Sequence, residues 1–151
     1  MNKPFVFLRI AAVLTFIHAV LHTIGGVFGH VEPGPATVAV QAMKTNQFLL
    51  AAHLRSFWDF YHGLGLGLTI FLTSESVVFW QLASWAKIVG QGIRPILITF
   101  AAAYSVLAVN SYTYFFIGPV IVEILIAVCL GAAIITATSQ STVDQEAWRR
   151  P

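Results

Sequence analysis

His18 and His22 stand four residues apart, and Arg55, Asp59 and His62 follow at steps of four and three. On a helix these spacings put side chains on one face, where an imidazole and a carboxylate can trade a proton with a bound molecule. Glu123 sits alone in an apolar run, PVIVEILIAV, where a carboxyl has to be protonated, paired or functional. The chemistry open to this set is acid–base, with His22 or His62 as proton acceptor and Asp59 or Glu123 as its partner. Arg55 would keep Asp59 ionised and meet the polar head of a ligand, with Trp58, Tyr61 and Asn110 completing the lining. Plainer roles exist for the same residues: Arg55 and Asp59 as an intrahelical ion pair, and Trp58, Tyr61 and Tyr104 as packing or interfacial aromatics.

His18 and His22 also have the spacing of two metal or haem ligands on one helix face, with His62 as a third. No HExxH or ExxH pair accompanies them. No cofactor is therefore predicted, and haem b or a metal ion is the alternative. Cys129 is the only cysteine, so one chain can form neither an internal disulfide nor a dithiol redox cycle, and quinone chemistry of the membrane dithiol type is excluded. Glu75, between Thr73, Ser74 and Ser76, reads as a protonated acid bonded to those hydroxyls. The glycines of HGLGLG, 62–67, read as close packing, since no strand or loop precedes them to make a phosphate cradle.

The elements that must position these residues are set by composition. Of 151 residues, 58% are apolar and 9% charged, with a mean hydropathy of +0.81, which lies outside the range of soluble domains. A spanning helix needs about 20 apolar residues. Residues 5–29, 57–86, 95–116 and 119–137 meet that need and leave no length for a second domain. The predicted fold is all-α: one integral membrane four-helix bundle, up-down-up-down.

The first run is long, carries Arg9, His18 and His22, and lacks a small-x-small cleavage site, so it reads as a retained helix rather than a signal. Residues 30–52 form an outer loop with a turn at Pro33–Gly34–Pro35 and a short interfacial helix after it. Helix two is expected to begin before the bilayer, near Leu49. After Ala137 the chain, SQSTVDQEAWRRP, reads as a cytoplasmic tail.

Lys3, Arg9, Lys87, Arg94, Arg149 and Arg150 fall on the side shared by both termini, and only Lys44 and Arg55 on the other. That bias places both termini in the cytoplasm of a bacterial inner membrane. A net charge of +2 gives no reason to expect nucleic acid as a partner.

Depth follows from a helical rise of about 1.5 Å per residue. His18 and His22 come out about 22 and 28 Å above Lys3, and Asn110 about 24 Å above Arg94. Glu123 lies about one turn inside the outer hairpin at Gly118, while Asp59 and His62 are about 42 and 37 Å from Lys87 along a helix free to tilt. Every helix thus brings a polar group to the outer third of the membrane. Arg55, Asp59, His62, Leu66, Thr69, Thr73 and Ser76 make one stripe, which is too costly to face lipid.

HTIGG, 22–26, and RSFWDFYHGLGLG, 55–67, resemble the HxxGG and RSxWDF motifs of an uncharacterised family of small bacterial four-helix membrane proteins. The likeness spans most of the chain. It implies the same architecture and singles out His22, Arg55, Asp59 and Gly63, but no activity. At the level of fold alone, the chain is similar to four-helix sterol-isomerase and sigma-2-type membrane proteins.

The expectation is a pocket for a lipophilic small molecule, such as an isoprenoid, a quinone or a sterol-like lipid. Two other readings stay open: a haem or metal electron-transfer protein, and a non-catalytic subunit of a homo-oligomer or larger membrane complex.

Overall fold

Helix α1, Lys3–Leu21, starts with Pro4 in its first turn, where the missing N–H has no helical partner to lose. It then meets glycines 25 and 26 and loosens into a π-helical turn, His22–Val27. There the Phe28 N–H reaches five residues back to the Thr23 carbonyl, at 3.0 Å. The computed structural model describes residues 3–137; the expected cytoplasmic tail, with Arg149 and Arg150, lies outside them.

Gly34, at φ 150°, and Pro35 start α2, Pro35–Thr45, which buries none of its residues. This is the short helix expected after Pro35. Two strands follow, β1, Gln47–Leu50, and β2, His53–Ser56, paired antiparallel with Leu50 opposite His53. The linking residues Ala51 and Ala52 both have positive φ, 46° and 64°. Such a backbone favours Asn-Gly, and the left-handed region costs an L-residue about 1–2 kcal/mol.

This hairpin corrects the sequence reading, which started helix two near Leu49. Helix α3 runs Phe57–Val89. Arg55 therefore lies on a strand, and the helical stripe expected from Arg55 begins at Asp59. A single 3₁₀ turn, Gly90–Ile93, opened by Gly90 at φ 56°, leads into α4, Arg94–Tyr114, with Pro95 in its first turn. After a break at Phe115 and Phe116 comes α5, Ile117–Thr136.

The protein is mostly helical, and three continuous helical stretches are long and apolar enough to cross a membrane: Lys3–Val27, Phe57–Tyr114 and Ile117–Thr136. The second holds both α3 and α4.

The chain packs as two units, residues 3–16 with 74–137, and residues 17–73. In the first, Leu8, Phe79, Leu97, Ile126 and Leu130 are buried together with Ala11, Ala12, Ala83 and Ala133. Alanines at these positions let the helix backbones approach closely. Phe79 meets Phe100 edge-on at 5.0 Å. The Arg9 guanidinium lies 3.4 Å from the Trp80 ring centroid and 5.0 Å from that of Phe5, and donates to Ser84 Oγ at 3.2 Å. Arg94 donates to the Ala137 carbonyl. In the second unit the π-helical turn and the start of α3 are joined by Val27, whose Cγ2 would stand 3.0 Å from a Cβ at Gly65.

Candidate functional site

The residues singled out from sequence divide between the two units. His18, His22, Arg55, Trp58, Asp59, Tyr61 and His62 belong to residues 17–73, while Asn110 and Glu123 belong to the other unit.

Within 17–73, the π-helical turn places His22 against α3. Its Nε2 is 3.0 Å from the Gly65 carbonyl oxygen. A carbonyl only accepts, so Nε2 carries the proton, and a neutral ring leaves Nδ1 as a lone-pair acceptor. A Cβ at Gly26 would stand 3.2 Å from that Nδ1. The second glycine of HTIGG therefore lets the imidazole lie on the backbone four residues ahead of it. Two more bonds fix the turn: Thr23 Oγ1 with Thr69 Oγ1 at 2.9 Å, and the Tyr61 hydroxyl donating to the Gly26 carbonyl at 3.2 Å.

Aromatic rings gather beside these bonds. Trp58 stacks with Tyr61 at 5.5 Å and with His62 at 5.8 Å, and Phe28 meets His62 edge-on at 5.4 Å. Lys44, brought in by α2, holds its Nζ 4.4 Å from the Trp58 ring centroid. His62 Nδ1 is buried without a hydrogen-bond partner, and so is Nδ1 of the buried His18. Sequence reasoning missed Lys44, Phe28, Thr23 and the Gly65 carbonyl, because none has a periodicity that ties it to the histidines.

Asp59 has a structural task. Its Oδ2 accepts from the Ser56 N–H at 2.7 Å and from Ser56 Oγ at 3.0 Å, and its own N–H donates to Ser56 Oγ at 3.2 Å. This is a reciprocal capping box that starts α3, and SFWD carried the signal: Ser, two residues, then an acid before an apolar run. Arg55 donates to the Leu54 carbonyl at 2.9 Å. No salt bridge joins Arg55 to Asp59 among the described residues, so the intrahelical pair expected from their spacing is replaced by the cap.

In the other unit, Glu123 is 2% exposed, accepts from Ser111 Oγ at 2.8 Å, and leaves Oε2 without a partner. Asn110, one residue away from Ser111, is exposed. Glu75 takes its hydrogen bond from the buried Tyr104 hydroxyl at 2.7 Å, and Thr15 Oγ1 lies 3.5 Å from that hydroxyl. Two of the three expected hydroxyl partners are engaged elsewhere: Thr73 donates to the Thr69 carbonyl and Ser76 to that of Ala12. Tyr104, read from sequence as a packing aromatic, is thus the partner of an acid in the middle of α3.

A furrow of about 620 Å³ lies between α4 and α5, lined by Ala108, Tyr112, Val120, Ile124 and Ala127 among others; none of the expected site residues lines it. Among the described residues, no three His, Cys, Asp or Glu side chains gather into a group able to hold a metal ion. The glycines of HGLGLG differ from the expectation of uniform close packing. Gly65 meets Val27, whereas a Cβ at Gly63 or Gly67 would have nothing within 4 Å. No family model, curated protein or solved structure matches the chain.

Proposed function

We propose that the chain is an integral membrane protein of the bacterial inner membrane, with α1, α3, α4 and α5 crossing up-down-up-down and both termini in the cytoplasm. Contacts between later residues of one helix and earlier residues of the next support that order: Glu75 with Tyr104, then Phe79 with Phe100, along α3 and α4. The tryptophan–arginine pair at Trp80 and Arg9 has the composition of an interfacial belt on the cytoplasmic side.

Its function is to bind a lipophilic small molecule with a polar head, of isoprenoid, quinone or sterol-like type, at the His22–His62 cluster. The observation that carries this reading is the His22–Gly65 hydrogen bond, which fixes the ring through Nε2 and leaves Nδ1 outside that bond. A few convergent polar atoms beside aromatic rings are what orient a mostly apolar ligand. His22 Nδ1 accepts from a hydroxyl of the ligand head, and His62 Nδ1, free of protein partners, supplies a second contact. If a bond is made or broken, His22 is the proton acceptor. Glu123, in the other unit, is left to the pairing of α4 with α5.

The test compares lipid extracts of purified wild type, His22→Ala and His62→Phe by mass spectrometry. One lipophilic species should be enriched over the bulk membrane in wild type and depleted in both variants. Equal content in all three overturns the reading.

A further inference from the structure

The tip of the β1–β2 hairpin breaks the usual composition of a two-residue turn. Ala51 and Ala52 hold left-handed φ values that glycine or asparagine would adopt without strain. Their neighbours are open and, apart from the exposed His53 opposite Leu50, apolar: Leu49 is 73% exposed, Leu50 49% and Leu54 57%. An exposed tip in water gains from Asn-Gly, which relieves the strain and hydrates the turn. A tip that keeps alanine there and surrounds it with leucines is suited to an apolar neighbour. No residue of α2 is buried, and nothing in 17–73 covers the tip.

β2 ends at Ser56 and α3 begins at Phe57, with no linker between them. The hairpin is therefore tied to the first turn of a helix long and apolar enough to span a membrane. Phe48 of β1 packs on Phe57 and Phe60 of α3, with ring centroids 5.1 and 6.0 Å apart, and Phe57, Phe60 and Leu64 are themselves exposed. Lys44 holds its ammonium over the Trp58 ring, and Arg55 adds a second cation in the same stretch of sequence as Trp58 and Tyr61, the mixture found at the headgroup level. The outer edges of a two-stranded sheet carry unpaired backbone groups, which keeps it at the wet boundary and out of the hydrocarbon.

We propose that residues 49–54 form a membrane anchor seated at the headgroup–acyl boundary of the bilayer face where α3 begins. The anchor rests on the reading of α3 as a spanning helix and adds a second contact with the same leaflet. It fixes the height of the first turn of α3, and with it Trp58, Tyr61 and His62, relative to lipid entering from that leaflet.

The test uses nitroxide labels on the full chain in vesicles of phosphatidylethanolamine and phosphatidylglycerol, in a Cys129→Ala background. Labels go at Leu50→Cys and Leu54→Cys, with Leu64→Cys on α3 as the reference. Oxygen, which concentrates in lipid, and a water-soluble nickel chelate report depth. The anchor predicts that both hairpin labels favour oxygen over nickel, with Leu64 favouring it more strongly. Hairpin labels open to nickel while Leu64 is shielded overturn the anchor and leave the spanning helix intact. Nickel access at all three sites overturns the spanning helix and the anchor together. Hairpin labels shielded from both reagents and broadened by spin–spin coupling overturn the anchor in favour of pairing between two copies of the chain.

Discussion

Replacing Ser111 with alanine isolates what the buried acid on α5 is for. Glu123 is 2% exposed and has one hydrogen bond, from Ser111 Oγ at 2.8 Å; its other oxygen has none. Ser111→Ala leaves both carboxyl oxygens unpartnered. A buried acceptor stripped of its donor costs about 1–3 kcal/mol. Between membrane helices, measured bonds average about 0.6 and reach about 1.7 kcal/mol, because the unfolded chain in lipid also finds partners. The expected loss is therefore about 1–2 kcal/mol. Adding Glu123→Met removes the orphaned acid and keeps its volume, and replacing both partners by apolar groups of similar shape is nearly neutral. The double variant should return to within about 0.5 kcal/mol of wild type. Thermal unfolding in detergent reads this, since a chain of this size shifts by roughly 2–4 °C per kcal/mol. A double variant as unstable as Ser111→Ala would refute the assignment of Glu123 to helix pairing.

Gly29→Ala should lower the melting temperature sharply, because a Cβ there would run into the Gly25 carbonyl oxygen, whereas Gly25→Ala, with nothing within 4 Å, should leave it unchanged. Thermal scans of the two variants compare them directly. Gly63→Ala and Gly67→Ala should be tolerated, while Gly65→Ala should disturb Val27 at 3.0 Å and deplete the bound lipid measured after purification. Asp59→Ala should reduce thermal stability by removing the cap on α3 while leaving lipid content unchanged; normal stability with lost lipid would return Asp59 to the binding site.

Much of the architecture was legible because it rests on long apolar runs. Expected spans at 95–116 and 119–137 compare with α4 at Arg94–Tyr114 and α5 at Ile117–Thr136. Proline and glycine mark these ends: Pro95 opens α4, and Gly90 precedes it at positive φ. The hairpin was not legible, since its turn is Ala-Ala and its strands, QFLL and HLRS, lack the alternation that marks a half-buried strand. Read as helix, those residues carry Arg55 onto a helical stripe and a close ion pair with Asp59; on β2, Arg55 acts on Asp59 only through its charge, and Ser56 takes the hydrogen bonds. The capping box is plain in SFWD, where the same spacing that suits acid–base chemistry also suits a helix start. Tyr104 and Glu75 are 29 positions apart, and only the packing of α3 against α4 brings them to 2.7 Å. The tautomer of His22 depends on a backbone carbonyl 43 residues away, which no spacing in the sequence encodes.

The claim on which the rest depends is that a lipophilic molecule is held at His22. A native mass spectrum of the intact chain, released from detergent micelles, tests it in one measurement. It should show the chain carrying a single lipophilic adduct in near-equimolar amount, and a His22→Ala sample at the bare protein mass. The same adduct pattern in both, or the bare mass in both, would contradict it.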